Sequence, residues 1–114
     1  MRRENNYTVL FTEEFEVCLD KIQHFFSGQG KETLNWWYTK EDEIIDFIDE
    51  ALSNNPFLGQ IVESGSFKGL RRLIYGKSRH KMLNYIVYYA IHENDRYIDV
   101  INILPSRTER KRIK

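Results

Sequence analysis

Cysteine is all but missing from this chain. Cys18 stands alone, which excludes an internal disulfide framework and any zinc site built from clustered thiolates, and leans toward a reducing compartment. Proline and glycine are also scarce, 2 and 6 residues, so no low-complexity linker separates two units. Long apolar runs are absent. The longest, Tyr85–Ile91, is far too short to span a bilayer, and Met1-Arg2-Arg3 leads into Glu4-Asn5-Asn6 with no apolar signal region. The expectation is a cytoplasmic protein with no membrane partner. Histidine is sparse too: His24, His80 and His92 are scattered without metal-ligand spacing, so neither a metal nor a small-molecule cofactor is expected.

What is present is a composition that folds. The 114 residues are 41% hydrophobic and 14% aromatic, with 30% charged, enough for one core and one domain over 1–114, ending in a basic tail at 107–114. The formal net charge is +0, and that figure hides an asymmetry. Residues 1–57 hold 5 Lys/Arg against 12 Asp/Glu, and residues 58–114 hold 12 against 5, a balance of −7 and +7. If the halves fold onto different faces, the second attracts phosphates or an acidic protein and the first repels them.

Periodicity sets the order of elements. Tyr7–Phe11 is rich in β-branched and aromatic residues and alternates, which predicts a short strand. Thr12 is placed to cap a helix whose apolar stripe is Phe15, Cys18, Leu19, Ile22, Phe25 and Phe26, ending at Ser27-Gly28. A second stripe, Ile44, Ile45, Ile48, Ala51 and Leu52, predicts a helix over about 40–54. Thr39 and Asp42 are spaced like a capping box, although Leu34 and Trp37 extend the stripe upstream. Asn54-Asn55-Pro56 ends it. Three strand-like segments follow, Leu70–Tyr75, Met82–Ile91 and Tyr97–Leu104, the last two joined by a turn centred on Asn94-Asp95. The prediction is an α+β domain, β-α-α-β-β-β, with two helices packed on one face of a small, mainly antiparallel sheet.

Glycine motifs carry no nucleotide chemistry: Gly28-Gln29-Gly30 and Gly65-Ser66-Phe67-Lys68-Gly69 lack the rest of a dinucleotide or P-loop pattern. Cys18, on the apolar stripe, reads as a buried inert thiol. Trp36-Trp37-Tyr38 suits either a partner-binding patch or closure of a core edge. The strongest signal is basic. Lys68, Arg71, Arg72, Lys77, Arg79, His80 and Lys81 fall close together, Arg107, Arg110, Lys111, Arg112 and Lys114 close the chain, and Tyr75, Tyr85, Tyr88 and Tyr89 interleave. Cations beside stacking faces are what single-stranded RNA requires, and on spacing alone a solvated charged rim fits equally well.

Several strings, taken in order, resemble the RelE/ParE superfamily of bacterial type II toxins: the opening Tyr7-Thr8-Val9-Leu10-Phe11-Thr12; Asn54-Asn55-Pro56 followed by Gly59; Lys68-Gly69-Leu70-Arg71-Arg72-Leu73; and Tyr85-Ile86-Val87-Tyr88 followed by Tyr97–Leu104. The resemblance spans about residues 7–107. It implies a small toxin neutralised by a cognate antitoxin encoded beside it, acting on DNA gyrase or on the ribosome and its messenger RNA. In RelE-like members it implies an Arg three residues before the middle-strand Tyr, an Arg after the last strand and a Tyr near the C-terminus. Here Tyr88 and Arg107 match, while Tyr85 and Ile113 stand at the other two positions.

The resemblance therefore implies catalytic-type roles for Arg107 and, as substitutes for the missing groups, for Lys81 and His80. Arg71, Arg72, Lys77, Arg79, Tyr85, Tyr88 and Arg110 become the target-binding set. An active messenger-RNA endoribonuclease with non-standard catalytic residues, and a non-toxic interaction module of the same fold, are the alternatives.

Overall fold

The computed structural model describes residues 6–76 and 84–105. β1 (Thr8–Phe11) leads into α1 (Glu13–Ser27) and α2 (Lys31–Asn54), followed by β2 (Gln60–Ile61), β3 (Arg71–Tyr75), β4 (Tyr85–His92) and β5 (Tyr97–Pro105). The strands form one sheet in the order β1-β5-β4-β3-β2. β1 runs parallel to β5 and every other pairing is antiparallel. The α+β expectation holds, with one strand more than predicted: β2 is a two-residue edge strand, too short to leave a periodic trace.

Thr12 caps α1 as its position requires. Its Oγ accepts the Phe15 amide at 3.2 Å and donates to the Val100 carbonyl at 3.0 Å, so one hydroxyl both starts the helix and ties it to β5. The two helices are joined by Gly28-Gln29-Gly30, and Gly30, at φ 114°, precedes Lys31. α2 thus begins nine residues before the expected position of about 40, and Thr39 and Asp42 lie inside it rather than at its start. Nothing between Lys31 and Thr39 breaks a helix, so the stripe through Leu34 and Trp37 continues the same face.

Both helices lie on one side of the sheet. Phe15 and Leu19 from α1, and Trp37, Ile44, Ile48 and Leu52 from α2, pack onto Leu73 of β3, Val87 and Tyr89 of β4, and Ile98, Val100 and Ile103 of β5. β4 is central, which accounts for its apolar residues on both registers: Tyr85 through Tyr89 are all buried. A register shift between Tyr88 and Tyr89 places Ile101 opposite no residue of β4, so Val100 and Ile103 both reach the core, although strict alternation would separate them.

The connection from α2 to β3 is held to the helical face by a buried clamp. The Tyr89 hydroxyl donates to the Pro56 carbonyl at 2.8 Å and accepts the Gly59 amide at 2.8 Å. A side chain at Gly59 would meet the Arg72 carbonyl at 2.5 Å and the Tyr89 hydroxyl at 2.8 Å, so only glycine allows this approach. Among the described residues no helix is long and apolar enough to cross a membrane.

Candidate functional site

The sheet divides the charge. Every described acidic residue before Asn55 lies on α1 or α2, which together carry only Lys21, Lys31 and Lys40 as lysines. Acids of the two helices sit close enough to perturb one another: burial pushes the Glu41 carboxyl up, and Asp42, Glu16 and Asp20 add to the shift. The opposite side of the sheet, away from the helices, has no such layer among the described residues, though it carries Asp99 of β5 beside His92. Arg72 and Ile74 of β3 are exposed there, Ile74 at 53%, and Arg72 pairs in register with Tyr88.

This open face is partly roofed by the loop before β3. Phe67 stacks on Tyr88, ring centroids 4.0 Å apart and planes 16° from parallel. The loop is shaped by Gly65 and Gly69, both at positive φ, and by the bonds of the Val62 amide to the Leu70 carbonyl and of the Gly69 amide to the Val62 carbonyl, 2.8 and 2.9 Å. Phe67 was not among the residues singled out in sequence. The available signal was a lone aromatic in a Gly/Ser loop.

The expected target-binding residues split between the two faces. Arg72 and Tyr88 are brought together on the open side. Arg71 faces the helical side, donates from Nη1 to the Gly59 carbonyl at 2.6 Å and lies over the Phe57 ring at 5.1 Å. Its guanidinium fastens the same connection that Tyr89 clamps, and it is committed there. Tyr85 is a correction: it is buried in the core beside Trp37, centroids 6.0 Å apart, so its ring has no face to offer a base. Strand alternation dictates both outcomes, since Arg71 and Tyr85 share a parity with core residues of β3 and β4. Tyr88 is on the open side but only 8% exposed, with one ring face taken by Phe67. Lys77, Arg79, His80, Lys81, Arg107 and Arg110 lie outside the described residues.

Two further groups were missed. At the far end of β4, His92 Nε2 is 3.1 Å from Asp99 Oδ2 and its ring stacks on Tyr97 at 4.3 Å. The pair lies four residue steps along β4 from Tyr88, about 13 Å at the usual rise per residue. That distance excludes joint action with Arg72 and Tyr88 on one phosphate. The second group borders a cavity of about 380 Å³ between α1 and the end of β5, lined by Cys18, Lys21, Phe25, Asn102 and Leu104 among others. Cys18, expected to be buried, is half-buried in that wall. Among the described residues no set of three His, Cys, Asp or Glu is placed to hold a metal ion.

Among solved structures, the chain superposes on a chain of the RelBE2 toxin–antitoxin complex of Mycobacterium tuberculosis, with a TM-score of 0.56 over 86% of this chain and 95% of that one. The fold is RelE-like. At 18% identity, the likeness lies in the path of the backbone and the order of the strands. No protein-family model matches the sequence, and no curated protein matches it.

Proposed function

We propose that this protein is the toxin component of a type II toxin–antitoxin pair, acting on an essential anionic or nucleic-acid-bearing target through the sheet face that the helices leave open. The RelE-like fold supports the class. The observation that carries the choice of face is the crowding of acidic residues on the helical layer, with Arg72 exposed on the far side and the Asp99 of that side held beside His92 at the other end of β4. A phosphate-bearing target approaching the helical side meets Glu16, Asp20, Glu41 and Asp42; on the other side it meets a cation.

In this reading Arg72, Lys77, Arg79, Arg107 and Arg110 supply charge, with Arg107 contacting a phosphate or an acidic group of the target. Lys81 and His80 are the candidate proton-transfer groups if the action is cleavage of messenger RNA. Phe67 on Tyr88 provides an aromatic surface beside Arg72. Induced expression tests the reading. The expected result is growth arrest, relieved by co-expressing the product of the adjacent reading frame. Cleaved messenger RNA at stalled ribosomes assigns a ribosomal target, and blocked supercoiling assigns gyrase. Unimpaired growth with abundant folded protein contradicts the proposal.

A further inference from the structure

The two edges of the sheet differ. β1 continues at once into α1, and the Tyr7 amide before it is tied to the Ser53 carbonyl of α2 at 3.0 Å. β2, at the other edge, has no strand beyond it among the described residues. Gln60 pairs with Arg72 and Ile61 with Arg71, and the Val62 amide donates to the Leu70 carbonyl at 2.8 Å. Gln60 and Val62 therefore turn their backbone groups toward β3, and the alternation of an antiparallel ladder turns the N–H and C=O of Ile61 outward.

The side chains along this edge are apolar and uncovered. Phe57, Leu58 and Ile61 are 47%, 46% and 57% exposed and border a groove of about 780 Å³. Apolar side chains this closely grouped, beside outward-facing strand groups, form a pairing surface rather than a scatter of surface residues.

Charge selects the occupant. From Ala51 to Phe67 the only charged residue is Glu63, and it lines the groove together with Arg72. Both are exposed, and neither has an ion-pair partner among the described residues. A two-fold axis that sets Ile61 against its own copy, antiparallel, places Glu63 beside the copy's Gly59. Two strand spacings and one residue then separate Glu63 from the copy's Arg72, about 10 Å between Cα atoms, a span that a glutamate and an arginine side chain bridge. β2 ends at Ile61, so strand alternation does not hold Glu63 to one face. The two-fold makes the same pair twice. The acidic helical layer offers a second copy mainly like charge.

We propose that this edge is a self-association surface, on which two copies pair antiparallel through the Ile61 edge of β2 and join their sheets. Phe57, Leu58 and Ile61 become covered, and Glu63 of each copy meets Arg72 of the other. The inference stands apart from the toxin reading. The paired segment is short, so the dimer is weak, with a dissociation constant on the order of 10–100 µM. In the dimer Arg72 is engaged, so self-association and an anionic target compete for it.

Sedimentation velocity of the full chain, from about 5 to 500 µM, tests the proposal. The mass should rise from that of one chain toward that of two, and exchange of the Ile61 amide should slow as concentration increases. Ile61→Lys, at an exposed edge position that does not endanger folding, should weaken association roughly tenfold or more. Glu63→Arg and Arg72→Glu each set like charges across the two-fold and should weaken it severalfold, more so at low salt. Mixed one to one, those two variants should associate as the parent does, since every cross pair is again opposite in sign. A single-chain mass at all concentrations, unchanged association in Ile61→Lys, or no recovery on mixing overturns the proposal. Protection of the Ile61 amide that appears only when another polypeptide is added gives the edge to a different partner and overturns it as well.

Discussion

The two faces of the sheet are built from the same strands and serve opposite ends. On the helical side, Trp37, Ile48, Val87, Tyr89 and Val100 are fully buried, and the charges above them are almost all acidic. On the other side, Arg72 and Ile74 are exposed, while Ile86 and Tyr88 are buried, and among the described residues the loop before β3 rests Phe67 on Tyr88. Arg71 and Arg72, neighbours in sequence, show the contrast most clearly. One is bonded to the Gly59 carbonyl over Phe57, and the other points away from the helices into solvent. The first face holds the fold together; the second carries the exposed side chains of β3.

The largest expected effects belong to the helical face. Trp37→Ala should cost about 3–5 kcal/mol in urea denaturation, since it empties a fully buried site stacked under Phe26 and against Tyr85. Ile74→Ala on the open face should cost under about 1 kcal/mol, because its side chain already meets water. Equal costs would mean that the open face is covered as fully as the other.

Tyr89→Phe should come next, at about 1–3 kcal/mol, as the Gly59 amide and the Pro56 carbonyl lose their buried partner. The same hydroxyl predicts a pH dependence. Burial raises its pKa above the ordinary tyrosine value of 10.0, with the Gly59 hydrogen bond and Arg71 opposing the shift. A raised pKa in the folded state means its contribution is complete below the unfolded value and declines as pH climbs toward the folded one. Stability measured from pH 9 to 11.5 should therefore fall more steeply in the parent than in Tyr89→Phe. Parallel curves would remove the clamp from the account.

The arginine pair gives a smaller and sharper contrast. Arg71→Ala should destabilise by about 1–2 kcal/mol through the lost bond to Gly59, whereas Arg72→Ala should change stability by less than about 0.5 kcal/mol. The smallest effect is on the acidic layer. The Glu41 carboxyl is raised by burial and by Asp42, Glu16 and Asp20, so protonation favours the folded state, and that benefit is lost as pH rises through the carboxylate range. Glu41→Gln should raise the thermal midpoint at pH 7 and leave it near the parent value at pH 3, where both side chains are uncharged.

The sequence made the frame of this molecule legible and its finer positions only in part. Thr12 as a cap, the α1 stripe from Phe15 to Ile22, and the two long strands follow from local periodicity and capping chemistry, which the tertiary structure reinforces. The early start of α2 was obscured because Thr39 and Asp42 mimic a cap inside a continuous helix. In the site, Arg71, Arg72, Tyr85 and Tyr88 were expected in one target-binding set, and the structure divides them between the two faces, because absolute strand orientation depends on which register meets the helices. The cavity between α1 and the end of β5 arises from where β1 stops and α1 begins, a relation between distant segments with no local trace.

The most direct measurement compares charge reversals of matched exposure under induced expression, with folded protein quantified in each culture. Arg72→Glu on the open face should relieve growth arrest, and Lys31→Glu on the helical layer should leave arrest intact. Persistent arrest with Arg72→Glu, or equal relief by Lys31→Glu, would contradict the assignment of function to the open face.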